Sequence, residues 1–175
     1  MSIEERLTGG HPNSLGNTVE IVTEVLQNPS IFDELFQCYY SKDEVVRLRV
    51  SNAMKRICRK NEEMLLPYID KFVDSISKID QASTQWTLAQ LFLMLEKRLS
   101  NKQRKKAEEI LKTNLAYHQD WIVLNMTMET LGLWAKKDET LRIWMEPHLS
   151  RLSKDPRKSV SKKAVKTLQL HTGKA

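Results

Sequence analysis

"SKDEVVRLRVSNAMKRI" occupies residues Ser41–Ile57, and its reading decides the fold. A polar turn closes on Asp43, whose carboxylate can accept from the free N–H groups of a helix's first turn. Val46, Val50, Ala53 and Ile57 then recur at helical steps, which predicts an amphipathic helix. Arg49, Asn52, Arg56 and Arg59 recur with the same rhythm, and their spacing places them together on a second, polar face.

Outward from this stretch, the turn returns. Asp43, Asp80, Asp120 and Asp155 stand 37, 40 and 35 residues apart. Three of them close a similar run: Ser41-Lys42-Asp43, Ser77-Lys78-Ile79-Asp80 and Ser153-Lys154-Asp155. Pro67 and Pro147 are 80 residues apart, and each lies inside a predicted helix that leads into one of these turns. A degenerate period in the high thirties marks a stack of two-helix units. A lone hairpin of amphipathic helices cannot bury both apolar faces, whereas hairpins laid side by side share one continuous core.

The period divides the chain. Residues 1–14 are polar, contain Gly9, Gly10 and Pro12, and predict a flexible lead. Val19, Val22, Val25 and Leu26 share a face and predict a capping helix over 15–27. Asn28-Pro29 then opens the first of four repeats, expected over 29–60, 61–99, 100–137 and 138–171 within a single domain spanning 15–171, with a tail at 172–175. The last helix has a thin apolar face of Val160, Ala164 and Leu168, and Lys158, Lys162 and Lys166 align along its basic side.

Composition agrees with helices. Five Gly and five Pro in 175 residues are too few for an all-β protein, which needs a turn signal about every 8–12 residues. No apolar run approaches the roughly 18–20 residues of a membrane span. The start, "MSIEERLTGG", lacks the apolar core of a secretory signal, and a cytoplasmic location is expected. Cys38 and Cys58 sit in apolar helical contexts and predict buried free thiols. The formal charge is +6, with eight Lys/Arg against one acid in residues 151–175. A second basic run, "KRLSNKQRKK" at Lys97–Lys106, has six bases and no acid.

These features together resemble HEAT repeats. "MLLPYIDKFVDSISKID" is similar to the family's first helix, with its internal Pro, and the Asp-bearing turn. "DEVVRLRVSNAMKRI" is similar to the turn, the Val-Arg pair and the second helix, and "WMEPHLSRLSKDPRKSVSKKAVKTL" resembles a whole repeat. The family's Arg is present as Arg47 but is replaced at Leu124 and Ser161, so an Asp–Arg ladder along the array is not expected. The resemblance implies an all-α, right-handed α-solenoid of about four hairpins whose second helices line a concave recognition surface. It also implies recognition rather than catalysis, of proteins mostly and of nucleic acids in some members.

No catalytic constellation emerges. His11, His118, His148 and His171 have no ligand partner at helical spacing, and no phosphate loop or nucleophile motif occurs. No cofactor and no metal is expected. Glu62-Glu63 and Asp138-Glu139 suit the positive ends of helix dipoles. Trp86, Trp121, Trp134 and Trp144 are read first as packing residues, with an exposed stacking platform as the alternative. The expected function is non-enzymatic protein binding to an acidic surface or peptide. Its candidate contacts are Arg49, Asn52, Arg56 and Arg59, with Lys158, Lys162 and Lys166 at the far end. Nucleic-acid binding through the same basic faces, as in HEAT-like repair glycosylases, is the second reading. An accessory subunit of an enzyme, as in HEAT-like phycobilin lyases, is the third. No membrane partner is expected.

Overall fold

The computed structural model describes residues 1–173, and every regular element among them is helical. The α-helices are α1 (Ile3–Leu7), α2 (Thr18–Gln27), α3 (Phe32–Gln37), α4 (Glu44–Lys60), α5 (Ile69–Asp74), α6 (Ala82–Met94), α7 (Asn101–Tyr117), α8 (Trp121–Trp134), α9 (Glu139–Leu152) and α10 (Lys158–Thr172). Short 3₁₀ turns, such as Cys38–Tyr40 and Glu62–Tyr68, join or extend several of them. No helix among the described residues is long and apolar enough to cross a membrane.

The chain divides into two compact units, residues 1–99 and residues from 100 onward. In the N-terminal unit α2 packs on α4 and α4 packs on α6. In the C-terminal unit α8 packs on α7 and α10, and α10 packs on α9. Thr172 ends α10 and Gly173 caps it with φ +69°, while residues 174–175 of the expected tail lie outside the described residues.

Local chemistry explains the helix ends. Asp43 accepts from Val45 N–H at 2.8 Å and starts α4. Asp120 accepts from Ile122 and Val123 and starts α8, and Asp138 accepts from Leu141 and starts α9. Asp80 caps nothing; Gln81 holds that turn instead, donating to Glu44 O at 2.9 Å and accepting from Arg47 Nε at 2.7 Å. Gln85 then ties the preceding turn, donating to Ser77 O and Ile79 O.

The two internal prolines behave differently. Residues Glu62–Tyr68, which include Pro67, wind as 3₁₀ helix before α5 takes over. Pro147 sits inside an uninterrupted α9. It leaves the Ile143 carbonyl without its helical donor, but Pro147 and Ile143 are both exposed, so water can take that role.

The lead expected to be flexible is built into the core. Ser2 and Glu5 form a capping box that starts α1, and Ile3 and Leu7 are buried. Arg6 reaches Glu24 of α2 with two bonds of 2.7 and 2.6 Å. The chain from Leu7 to Gly16 then folds round the side chain of Arg49. The Arg49 guanidinium donates to Leu7 O at 2.6 Å, Gly9 O at 2.7 Å, Ser14 O at 3.1 Å and His11 O at 3.3 Å. Gly9, Gly10 and Gly16 supply the positive φ values this path requires, and a Cβ on Gly16 would stand 3.0 Å from Arg49 Cζ.

Candidate basic interface of the N-terminal unit

The residues singled out on α4 do not form one surface. Arg49 is 2% exposed and committed to four backbone carbonyls, so it is no partner contact. It lies three residues after Val46 and four before Ala53, and so shares their inward face. Asn52 and Arg56 are half-buried and joined, Arg56 Nε donating to Asn52 Oδ1 at 2.6 Å. Arg59 is exposed.

A residue missed from the sequence completes the group. Lys55 stands four before Arg59 and beside Arg56, half-buried on α4. Burial first, then repulsion from Arg59 and Arg56, pulls its ammonium below the usual lysine range. No carboxylate is among the charges acting on it. Lys55, Arg56 and Arg59 thus stand together on the last turns of α4, and none of them forms an ion pair among the described residues.

One turn nearer the start of α4 the surface becomes apolar. Pro12, Val45, Leu48 and Trp86 line a shallow cleft of about 220 Å³, with Glu44, Gln81, Ala82 and Ser83 at its edge. Val45, Leu48, Asn52, Lys55 or Arg56, and Arg59 succeed one another at steps of three and four, so cleft and cations lie on one stripe. Pro12 reaches this cleft because Arg49 fixes the lead. Sequence reading missed the cleft because it joins residues from the lead, α4 and α6.

In the C-terminal unit, Lys158, Lys162 and Lys166 are exposed along α10 as their spacing predicted. Lys163, between them, pairs with Glu129 of α8. Lys136, Lys163 and Lys166 border a cleft of about 200 Å³ whose floor includes Met128, Gly132 and Leu170. The tryptophans separate: Trp134 is buried under Arg104, whose guanidinium lies 3.4 Å from the ring centre, and Trp144 leans on His148 at 4.4 Å. Trp86 is half-buried, and Trp121 is exposed. Cys38 and Cys58 are buried free thiols, pushed up to about 12 and about 11 chiefly by desolvation. Among the described residues no group of three His, Cys, Asp or Glu could hold a metal ion.

Arginines link neighbouring turns within each unit. Arg47 bridges Ser41 O and Gln81 Oε1, one turn to the next. Arg157 does the same in the C-terminal unit, donating to Gln119 O at 2.6 Å while it chelates Asp155. The Arg157 bonds hold the Asp155 carboxyl down to about 2, from an ordinary 3.8. A carboxylate whose folded value lies below its free value stabilises the fold above pH ~4, and that stability is lost as pH falls through about 2. Urea midpoints measured from pH 5 to pH 1.5 should therefore converge for wild type and Asp155→Asn at the acid end, and separate above pH ~4. A constant gap across the range would show that the Arg157 clamp carries no such stability.

Comparison of the chain with protein-family models, with curated proteins and with solved structures finds no match.

Proposed function

We propose that the chain is a non-enzymatic, HEAT-like repeat protein that binds an acidic protein segment on the α4–α6 surface of its N-terminal unit. Two features support the HEAT-like solenoid reading: Pro-bearing helices precede the repeated turns, and neighbours such as α4 and α6, or α8 and α10, lie side by side within each unit. The binding reading rests on one observation. Lys55, Arg56 and Arg59 form a cationic cluster that makes no ion pair among the described residues, on the same stripe as the cleft of Pro12, Val45, Leu48 and Trp86.

Unpaired like charges repel, and a ligand carboxylate would relieve that repulsion while accepting charge-assisted hydrogen bonds. The apolar cleft favours a peptide over a phosphate backbone, because it offers a seat for one apolar side chain. Leu48 and Arg56 are eight residues apart on α4, about 12 Å at 1.5 Å per residue. An extended peptide covers that distance in roughly three to four residues. The fitting segment therefore carries an aromatic or aliphatic anchor and, three to four residues away, a pair of acids.

Selection of a random peptide library on the immobilised full chain tests this. Enriched peptides should show that spacing. Arg56→Glu with Arg59→Glu should weaken them at least about tenfold at physiological salt. The thermal midpoint should stay unchanged, since Arg59 is exposed and Arg56 bonds a residue of its own helix, Asn52. Enrichment of peptides without acids, or binding indifferent to the double substitution, would remove the reading.

A further inference from the structure

In the C-terminal unit, the turn between α7 and α8 holds two aromatic rings in water on a tightly anchored backbone. α7 ends at Tyr117 and α8 begins at Trp121. Within the turn, Asp120 Oδ1 accepts from Ile122 and Val123 N–H at 2.8 and 3.0 Å, and His118 Nδ1 accepts from Asp120 N–H at 3.0 Å. From α9, Arg151 Nη2 donates to Leu115 O at 3.0 Å. From the start of α10, Arg157 Nη1 donates to Gln119 O at 2.6 Å, with its own position set by the Asp155 carboxylate. Polar bonds from three elements thus anchor the turn, while its rings keep much of their surface in solvent: Tyr117 is 79% exposed and Trp121 49%.

Such an arrangement is costly for a fold. Large aromatics are the side chains that gain most from burial. Rings held ready on an ordered backbone, by contrast, lose little entropy when a ligand covers them. The charges around the turn indicate what that ligand carries. Lys154 and Lys158 flank Arg157 in sequence, are exposed, and form no ion pair among the described residues; Lys162 continues the line one turn along α10. Residues 100–175 contain 16 Lys/Arg and eight Asp/Glu, a formal +8, whereas residues 1–99 contain 12 and 14, a formal −2. The positive excess of the whole chain therefore lies in the unit that displays the rings.

We infer that this turn is a stacking platform for single-stranded nucleic acid. Unpaired bases lie on the faces of Trp121 and Tyr117, and the phosphates that follow meet Lys154, Lys158 and Lys162. Flat rings interleaved with cations suit this ligand, because every base has a π-face and every linkage a negative charge. A duplex cannot use the rings without unstacking its own bases. The site shares no residue with the α4–α6 stripe, which pairs its cations with a largely apolar cleft instead.

Fluorescence anisotropy of a labelled mixed-sequence 12-mer tests the inference, with the full chain and with the strand as single-stranded DNA, single-stranded RNA and duplex DNA. Single strands should bind more tightly than duplex at 50 mM salt. Trp121→Ala should weaken the single strand about tenfold, and Tyr117→Ala by a smaller factor. Lys154→Ala with Lys158→Ala should reduce the slope of log affinity against log salt by about 1.4, or about 0.7 for each phosphate no longer neutralised. Tyr117, Lys154 and Lys158 are exposed and Trp121 is half covered, so circular dichroism should show the helices intact in every variant and the thermal midpoint should fall, if at all, only in Trp121→Ala. Arg56→Glu with Arg59→Glu should leave the binding intact, which separates this site from the peptide surface. Absence of single-strand binding at 50 mM salt, equal affinity for duplex, or indifference to Trp121→Ala would each overturn the inference.

Discussion

Arg49→Met should cost the fold about 3–4 kcal/mol, the largest effect expected of any single substitution here. The guanidinium is buried, and four backbone carbonyls of the lead depend on it. Hydrogen bonds to a charged donor contribute about 1.5–3 kcal/mol each, but bonds sharing one group do not add. Met keeps most of the apolar stem and leaves Leu7 O and Gly9 O without their donor. Against a total stability of about 5–15 kcal/mol, such a loss is severe. Lys at the same place keeps a charge but not the planar fork, and should recover less than half of the loss. Gly16→Ala should cost about 1–2 kcal/mol, because its φ is +50° and its Cβ would press on the guanidinium. Urea unfolding reads these values. Limited proteolysis reads the place, since cleavage between Thr8 and Leu15 should appear first in Arg49→Met. A variant as stable as wild type, with a protected lead, would show that the clamp is incidental.

Gly132→Ala should destabilise the C-terminal unit by about 1–2 kcal/mol although alanine is the better helix former. The reason is the approach of α10. A Cβ on Gly132 would stand 2.8 Å from Thr167 Cγ2, closer than atoms tolerate. Both residues are buried, so neither can turn away into solvent. The His171 ring also bonds Gly132 O at 3.1 Å, which fixes the helices at this point. The cause can be isolated, because Thr167→Ser removes the obstructing methyl and keeps the hydroxyl, which donates to Lys163 O. Thr167→Ser alone should cost about 1 kcal/mol for the lost methyl. The double substitution should be at least as stable as Thr167→Ser, giving a coupling energy of about 1–2 kcal/mol in a thermodynamic cycle. Simple additivity would mean that the close approach does not limit this position.

Much of the helical framework was legible residue by residue. The stripe Val46, Val50, Ala53 and Ile57 is buried throughout, and Asp43 caps α4. Arg49 was not legible as a core residue, although the signal was present: its spacing to Val46 and Ala53 puts it on their face. Its charge argued for the surface, and only a partner that supplies several carbonyls reverses that argument. Lys55 was passed over because the polar stripe was drawn through Asn52 and Arg56. Trp121 and Trp134 open and close the same helix, yet one is exposed and the other lies beneath Arg104.

The order of residues alone determined that this chain is all-helical, where its turns fall and which flank of each helix is apolar. Those features follow from local spacing, capping and the scarcity of Gly and Pro, which act over one or two helical turns. Tertiary structure alone decided the fate of each charge and each ring. It drew Arg49 inward by folding a distant lead around it, left Lys55, Arg56 and Arg59 out of any ion pair among the described residues, and anchored the backbone that carries the exposed faces of Tyr117 and Trp121. The physical reason is that the cost of burying a polar or aromatic group depends on what meets it, and those partners come from residues roughly 35–42 positions away.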